Sequence, residues 1–206
     1  MSASPIADIL RAAVPGAAIE ILDSTDMPTI AVDRDHLIDA CTVLRDHPAL
    51  QFSFLADVTA VDRLPADPRF ELVYNMACLG PHFLTAGATT AAEARRLRVK
   101  TRAPESDPRV PSVTSVWSGA GWPEREVFDL FGITFDGHPD LRRVLMPDDW
   151  EGHPLRKDYA VQIRKDAAAW APLQVTAEEF ARNVRADHEQ AARQAHLPGT
   201  TPDARG

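Results

Sequence analysis

Cysteine is scarce in this chain: two in 206 residues, Cys41 and Cys78, with no C-x-x-C pair. That excludes an iron–sulfur cluster or Cys-rich zinc site built from this chain alone. Cys41 falls on the apolar face of a predicted helix and Cys78 at the end of an apolar strand. Both read as buried, reduced thiols acting as small hydrophobes. Long apolar runs are missing too, and none approaches the ~18 residues that span a bilayer. The opening "MSASPIADIL" has neither the positive start nor the apolar stretch of a signal peptide. The expectation is a cytoplasmic protein whose membrane association is indirect. Positive charge is also in deficit, and a formal charge of -8 argues against a nucleic-acid binder. Arg95, Arg96, Arg98, Lys100 and Arg102 do cluster, but along a predicted strand, where a solvated sheet face explains them.

What is present is an ordinary globular composition, 45% hydrophobic and 25% charged, enough for one domain or two. "SPIADILRAAV" predicts a helix with Ser4 as N-cap and Pro5 at its first position, stopped by Pro15-Gly16. "AIEIL" and "TIAVD" alternate as short strands. A second helix, capped by Asp33 or Asp35, buries Leu37, Ile38, Cys41 and Leu44. "FSFLADVTAVD" and "RFELVYNMACL" are the strongest strands, the latter alternating so as to be covered mainly on one side. "GPHFLTAGATTAAEA" reads as a surface hairpin extension before the strand "RLRVKTR". The fold class is α+β: a mixed or antiparallel sheet with helices on one face, then a short helix and an extended irregular arm. The chain divides into an α+β domain at 1–121, a helix and docking arm at 122–160, and an extension at 161–206. That extension holds a predicted helix at 177–195, with a Thr176–Glu179 capping box, and a flexible tail.

Charged and aromatic residues concentrate between Trp122 and Tyr159. His138 and His153 lie there among Asp136, Asp140, Asp148, Asp149 and Asp158, enough donors for zinc or a hard cation. There is no H-E-x-x-H and no calcium-loop spacing, and both histidines precede prolines, where turn stabilisation explains them. No serine sits in a G-x-S-x-G elbow. "GAGWPE" lacks the third glycine of a phosphate loop, and its Glu124 would repel phosphate. Within "PEREVFDLF", Pro123 and Gly132 mark start and stop, and Val127, Phe128, Leu130 and Phe131 share one broad face. Glu124 projects toward that face, where it binds free backbone N–H groups. Arg125, Glu126 and Asp129 point outward.

These residues carry a resemblance. "EREVFDLFGITFDGHPDLRRVL" resembles the signature of the C-type subunit of the bacterial respiratory NADH:quinone oxidoreductase, complex I. Glu124, Arg125, Glu126, Asp129, Leu130, Phe131, His138, Arg142, Val144 and Leu145 match it. "MPDDWEGHPLRKDY" resembles the usual extension, and "FLADVTAVD", "PRFELVYN", "LRVKTR" and "VPSVTSVW" resemble upstream family segments in family order. The likeness runs over roughly residues 5 to 160. The stretch at 80–94 is longer than the family's usual turn, and the tail beyond about residue 165 matches nothing.

The resemblance implies a non-redox structural subunit of the enzyme's peripheral arm, on the cytoplasmic side of the bacterial cell membrane. That enzyme passes electrons from NADH through FMN and iron–sulfur clusters to quinone and translocates protons. This chain would hold no catalytic, cofactor-binding or metal-binding residue, with FMN and clusters in partner subunits. Its partners would be the D-type subunit of the same arm and the cluster-bearing subunits near the quinone site. Interface candidates are Glu124, Arg125, Glu126, Asp129, His138, Arg142, Arg143, Trp150, His153, Arg156, Lys157 and Asp158. Their charges would form ion pairs or carbonyl hydrogen bonds within the domain or across interfaces, with Trp117, Trp122, Trp150 and Tyr159 adding rigid area. A related membrane hydrogenase, or a dehydrogenase using another donor, fits the same residues. The alternative of another class is a free-standing metal-dependent enzyme using His138, His153 and nearby aspartates.

Overall fold

Strands β3 (Phe54–Asp62), β4 (Phe70–Cys78) and β5 (Arg95–Ala103) are nine residues each. Strands β3 and β4 carry β-branched and aromatic side chains that suit a pleated surface, and β5 alternates buried Leu97, Val99 and Thr101 with basic residues. In the computed structural model, which describes residues 2–79, 94–160 and 182, β4 pairs antiparallel with both β3 and β5. Strands β1 (Ile19–Leu22) and β2 (Thr29–Val32) extend the sheet to the order β1-β2-β5-β4-β3, with β2 parallel to β5. The connection from β2 to β3 passes through helix α2 (Leu37–Asp46). Residues 1–160 form one compact unit. The 80–93 stretch and the 177–195 helix lie outside the described residues, Arg182 excepted.

Helices α1 (Ala3–Ala13), α2 and α3 (Gly121–Phe131) bury their apolar sides in one core. Ile6, Leu10, Leu37, Leu44, Val127 and Phe131 meet Ile30, Leu72, Tyr74 and Val99 there. Cys41 and Cys78 are free and buried, and burial, with the Glu124 charge nearby, pushes the Cys41 thiol up to about 12. The α+β class with helices on one side of a mixed sheet is therefore the observed architecture.

Local details depart from the sequence reading. Helix α1 begins at Ala3, with Ser2 at its N-cap and no side-chain cap bond. Pro5 is tolerated at the third position, since the first four N–H groups have no intrahelical acceptor anyway. A tight 3-10 turn at Arg34–His36 precedes α2. The Asp33 carboxylate accepts from the Ala18 N–H at 2.7 Å and pairs with His36 Nδ1 at 2.6 Å instead of capping α2. Strand β4 is buried on its second face too, at Glu71 and Val73. Glu71 lies under Arg63 at 2.6 Å and Lys100 at 2.9 Å, with Arg102 at 3.5 Å, and long cationic stems cover apolar surface beneath their charged heads. Two three-residue strands, β6 (Arg109–Pro111) and β7 (Thr134–Asp136), pair in parallel on either side of α3 in sequence.

Arg69, just before β4, is almost fully buried and faces three carboxylates. It makes two bonds to Asp62, at 3.0 and 2.8 Å, two to Asp158, at 3.1 and 2.5 Å, and one to Glu105, at 2.6 Å. Its guanidinium also lies 5.0 Å from the centre of the Phe70 ring. Asp62 in turn accepts the Leu64 and Lys157 N–H groups at 2.9 and 2.8 Å. These bonds, Arg69 first, hold the Asp62 carboxyl well below the usual carboxylate range. Arg69→Leu strands Asp62 as a buried charge without its cation, so the unfolding free energy should fall by about 3–5 kcal/mol, read from the urea midpoint.

Candidate interface: helix α3 and the arm that returns over it

Helix α3 stops because Gly132 adopts φ +70° at its end, a left-handed conformation that glycine adopts without Cβ strain. The chain beyond β7, residues 137–160, then folds back over the helix. A Cβ on Gly132 would lie 2.4 Å from the His153 ring and 2.6 Å from Arg156, so the same glycine that ends the helix makes room for the returning arm.

The arm binds the helix end mainly through main-chain carbonyls. His153 Nδ1 lies 2.9 Å from the Asp129 carbonyl, and the Leu155 N–H donates to Leu130 O at 3.0 Å. Arg156 donates to Phe131 O at 2.5 Å and to Gly132 O at 3.4 Å. The helix's free C-terminal carbonyls are thus satisfied by the arm, and the guanidinium complements the negative end of the dipole. Burial, reinforced by Arg156 and Arg143, pushes the His153 ring below its ordinary value, which leaves it neutral with Nδ1–H as the donor. Lys157 reaches Leu64 O at 3.4 Å, and Asp158 closes the arm onto Arg69.

Asp129 does not point outward. It is fully buried because the arm crosses that side of α3. One carboxylate oxygen accepts the N–H groups of Val144, Leu145 and Met146 at 3.0, 2.7 and 2.8 Å, and the other accepts from Arg143 at 2.7 Å. Burial alone would raise its pKa, but the three N–H groups and Arg143 outweigh it and hold the carboxyl below its ordinary value. Arg143 also donates to Trp150 O and Gly152 O, both at 3.1 Å. Arg125 stacks 4.7 Å over the Trp122 ring and donates to Arg142 O and Arg143 O, both at 3.1 Å. Arg142 is exposed and bonds Asp140 at 3.0 Å, and Glu126 is exposed. Trp117 is buried, its indole N–H donating to Phe52 O at 3.1 Å, whereas Trp122 is exposed and Trp150 and Tyr159 are partly buried.

At the other end of α3, Glu124 is fully buried as its position on the apolar side implied. Its N–H donor is Val113, at 2.8 Å from the preceding turn, and Ser112 Oγ lies at 2.6 Å. Ser112 is in turn 2.8 Å from the Thr114 hydroxyl. Either hydroxyl can be donor or acceptor, so this relay can run toward a carboxylate or away from a carboxylic acid. His138 Nδ1 accepts the Asp140 N–H at 3.0 Å, which places its proton on Nε2, 3.0 Å from Gly121 O. Nε2 is 4.0 Å from the nearer Glu124 oxygen. Burial dominates at Glu124 and raises its pKa to about 7.

The sequence reading named most of these residues but not Arg69, Asp62 or Glu105, and it weighed Ser112 only as a nucleophile outside any G-x-S-x-G elbow. No local spacing announces them, because their partners lie 7 to 89 residues away and follow no helical or strand period. Among the described residues, no group of three or more His, Cys, Asp or Glu could hold a metal ion. His138 and His153 are engaged with main-chain groups.

The helix, its returning arm and the one-sided sheet describe a domain whose signature charges are used to fix a surface. The chain belongs to the family of the respiratory-chain NADH dehydrogenase 30 Kd subunit, whose model matches residues 30–165. It is 42% identical over 149 residues to the C-type subunit of the NADH-quinone oxidoreductase of Roseiflexus sp. (strain RS-1), covering 72% of this chain and 79% of that protein. The trypsin-resistant fragment of Nqo5 superimposes with a TM-score of 0.51 at 33% identity, covering 68% of this chain and all of the fragment. An archaeal membrane-bound sulfane sulfur reductase contains a chain of the same fold, TM-score 0.61 at 23% identity, covering 84% of this chain and 94% of that one. Family membership favours a subunit of an NADH-quinone oxidoreductase complex over a free-standing metal enzyme. No helix among the described residues is long and apolar enough to cross a membrane.

Asp129→Asn turns an amide toward three N–H donors and removes the charge facing Arg143. It should cost about 2–4 kcal/mol, with faster amide exchange at 142–158. Glu124 carries a folded pKa of about 7 against an ordinary value of 4.5. The folded state therefore binds more protons between those values, and its stability falls as pH rises through that window. Glu124→Gln removes this dependence. The stability of the variant relative to the parent should increase by about 2 kcal/mol from pH 5 to pH 8, measured by urea unfolding at each pH.

Proposed function

We propose that the chain is a non-redox structural subunit of the peripheral arm of a proton-pumping NADH:quinone oxidoreductase, on the cytoplasmic side of the membrane. FMN and the iron–sulfur clusters belong to partner subunits, which pass electrons from NADH to quinone. This chain supplies no catalytic, cofactor-binding or metal-binding residue. Its part is to hold the D-type subunit and the cluster-bearing subunits near the quinone site in register.

One observation carries the reading. Arg125, Asp129, Arg143, His153 and Arg156 direct their polar groups to this chain's own backbone and to each other. Large apolar side chains are left outward on the same helix and arm: Trp122 is 67% exposed, Leu145 59% and Leu155 51%. Exposed apolar residues beside charged Glu126 and Arg142 have the composition of an interface, anchors at the centre and charge at the rim. A rigid, prepaired scaffold lowers the ordering cost of docking.

The test is affinity purification of the tagged chain from gently solubilised membranes. Flavin- and cluster-bearing subunits with NADH:quinone activity should co-isolate. A Trp122→Ser, Leu145→Asp double variant should melt like the parent as an isolated chain. It should lower the assembled complex several-fold while the cofactor spectra per complex stay unchanged. Normal complex content in the variant, or a parent chain that purifies alone, would defeat the proposal.

A further inference from the structure

The two edges of the main sheet differ. Strand β1 is four residues long, a short edge of the kind that discourages pairing. Strand β3 is nine residues long, and among the described residues β4 is its one paired neighbour. Its far side therefore presents a row of main-chain donors and acceptors about 25 Å long at ~3.3 Å per residue.

Helix α3 packs against β3. Yet among the described residues no main-chain bond joins residues 54–61 to the helix or to the arm, and the strand's own residues protect its edge little. From Phe54 to Val61 the sequence is FLADVTAV, with one charge, no lysine, no proline and no glycine. Solitary edges normally carry such residues, or are covered. The one irregularity is a register shift between Leu55 and Asp57. At the two ends of this stretch, Phe54 is 49% and Val61 37% exposed. Between them Asp57 is exposed, opposite Asn75, and has no ion-pair partner among the described residues. The cation nearest in register, Arg98 beyond Asn75, is paired with Asp26 at 2.8 Å.

We infer that the outer edge of β3 is a strand-addition site. It takes an extended segment of a partner subunit that continues the sheet, sets apolar side chains against Phe54 and Val61, and places a lysine or arginine beside Asp57. Unsatisfied edge groups are matched over this length by another strand's main chain, and the alternating side chains then set specificity. A second copy of this chain fits poorly. Two β3 strands paired about their centre bring two Asp57 carboxylates onto one face with no cation between them, and like charges so placed are destabilising. The identity of the occupant as a partner subunit rests on the assembly reading above; the open edge itself does not.

Hydrogen exchange on the isolated full chain and on the purified complex tests this directly. Amides of residues 54–61 facing the outer edge should exchange at least about tenfold more slowly in the complex. Val61→Lys, beside the Glu71 carboxylate, and Asp57→Lys should leave the melting temperature of the isolated chain unchanged. Each should reduce incorporation into the complex by about fivefold or more. Equal exchange in both states, or normal incorporation of both variants, overturns strand addition while leaving the subunit reading intact. Protection already complete in the isolated monomer assigns the edge to this chain's own residues and overturns it as well. Protection that rises with concentration of the isolated chain assigns it to a second copy, with the same consequence. A chain absent from the purified complex overturns the assembly reading first, and the partner with it.

Discussion

Three successive peptide N–H groups, those of Val144, Leu145 and Met146, converge on one oxygen of Asp129. Consecutive main-chain donors aimed at one point form an anion-binding concavity, and here the anion is a side chain of the helix that the arm must cover. The contact fixes where the arm turns. Arg143 follows, held by the other oxygen, and its remaining donors fix the carbonyls of Trp150 and Gly152. From there His153, Leu155 and Arg156 fall into place on the helix's carbonyl end. Without the Asp129 contact, the segment would have few apolar anchors and a surplus of unmatched charge.

The arrangement separates two uses of charge. Buried or half-buried ions are matched inside the chain, so they set geometry with little left over for attraction at a distance. Large apolar groups at Trp122, Leu145 and Leu155 remain exposed. This suits the proposed scaffolding role: surface ion pairs are weak and salt-sensitive, whereas buried apolar area on a rigid frame is not. Glu124 fits the same pattern at the other end of the helix. Its hydroxyl relay accepts either protonation state, so α3 keeps its seat while its stability shifts with pH.

Much of this was legible in the sequence, for physical reasons. The strands showed their two-residue period, and α3 showed its glycine stop and apolar face, because those signals are local. Glu124 was placed correctly on the buried side by helical geometry alone. Asp129 was misplaced outward by the same geometry, since spacing on a helix cannot report a chain that returns 15 residues later to cover it. Arg69 read only as the first residue of the strand "RFELVYNMACL". Its burial depends on three carboxylates, two of them 36 and 89 residues downstream. Strands β6 and β7 escaped notice because three residues are too few to show a period. The double burial of β4 was hidden because its cover is the stems of neighbouring cations rather than apolar side chains.

The bond between Arg69 and Asp158 joins residues 89 positions apart, and this sets an order of events during synthesis. Strand β4 and its arginine leave the ribosome long before the arm does, and at ~5–20 residues per second the interval is several seconds or more. Over that interval Arg69 has only Asp62 and then Glu105 as partners, and the carbonyl end of α3 stands open. The nascent domain therefore completes its core first and acquires its outer surface last. The proposed docking face exists only once the chain has been made through residue 158, so docking of an unfinished chain is disfavoured by connectivity alone.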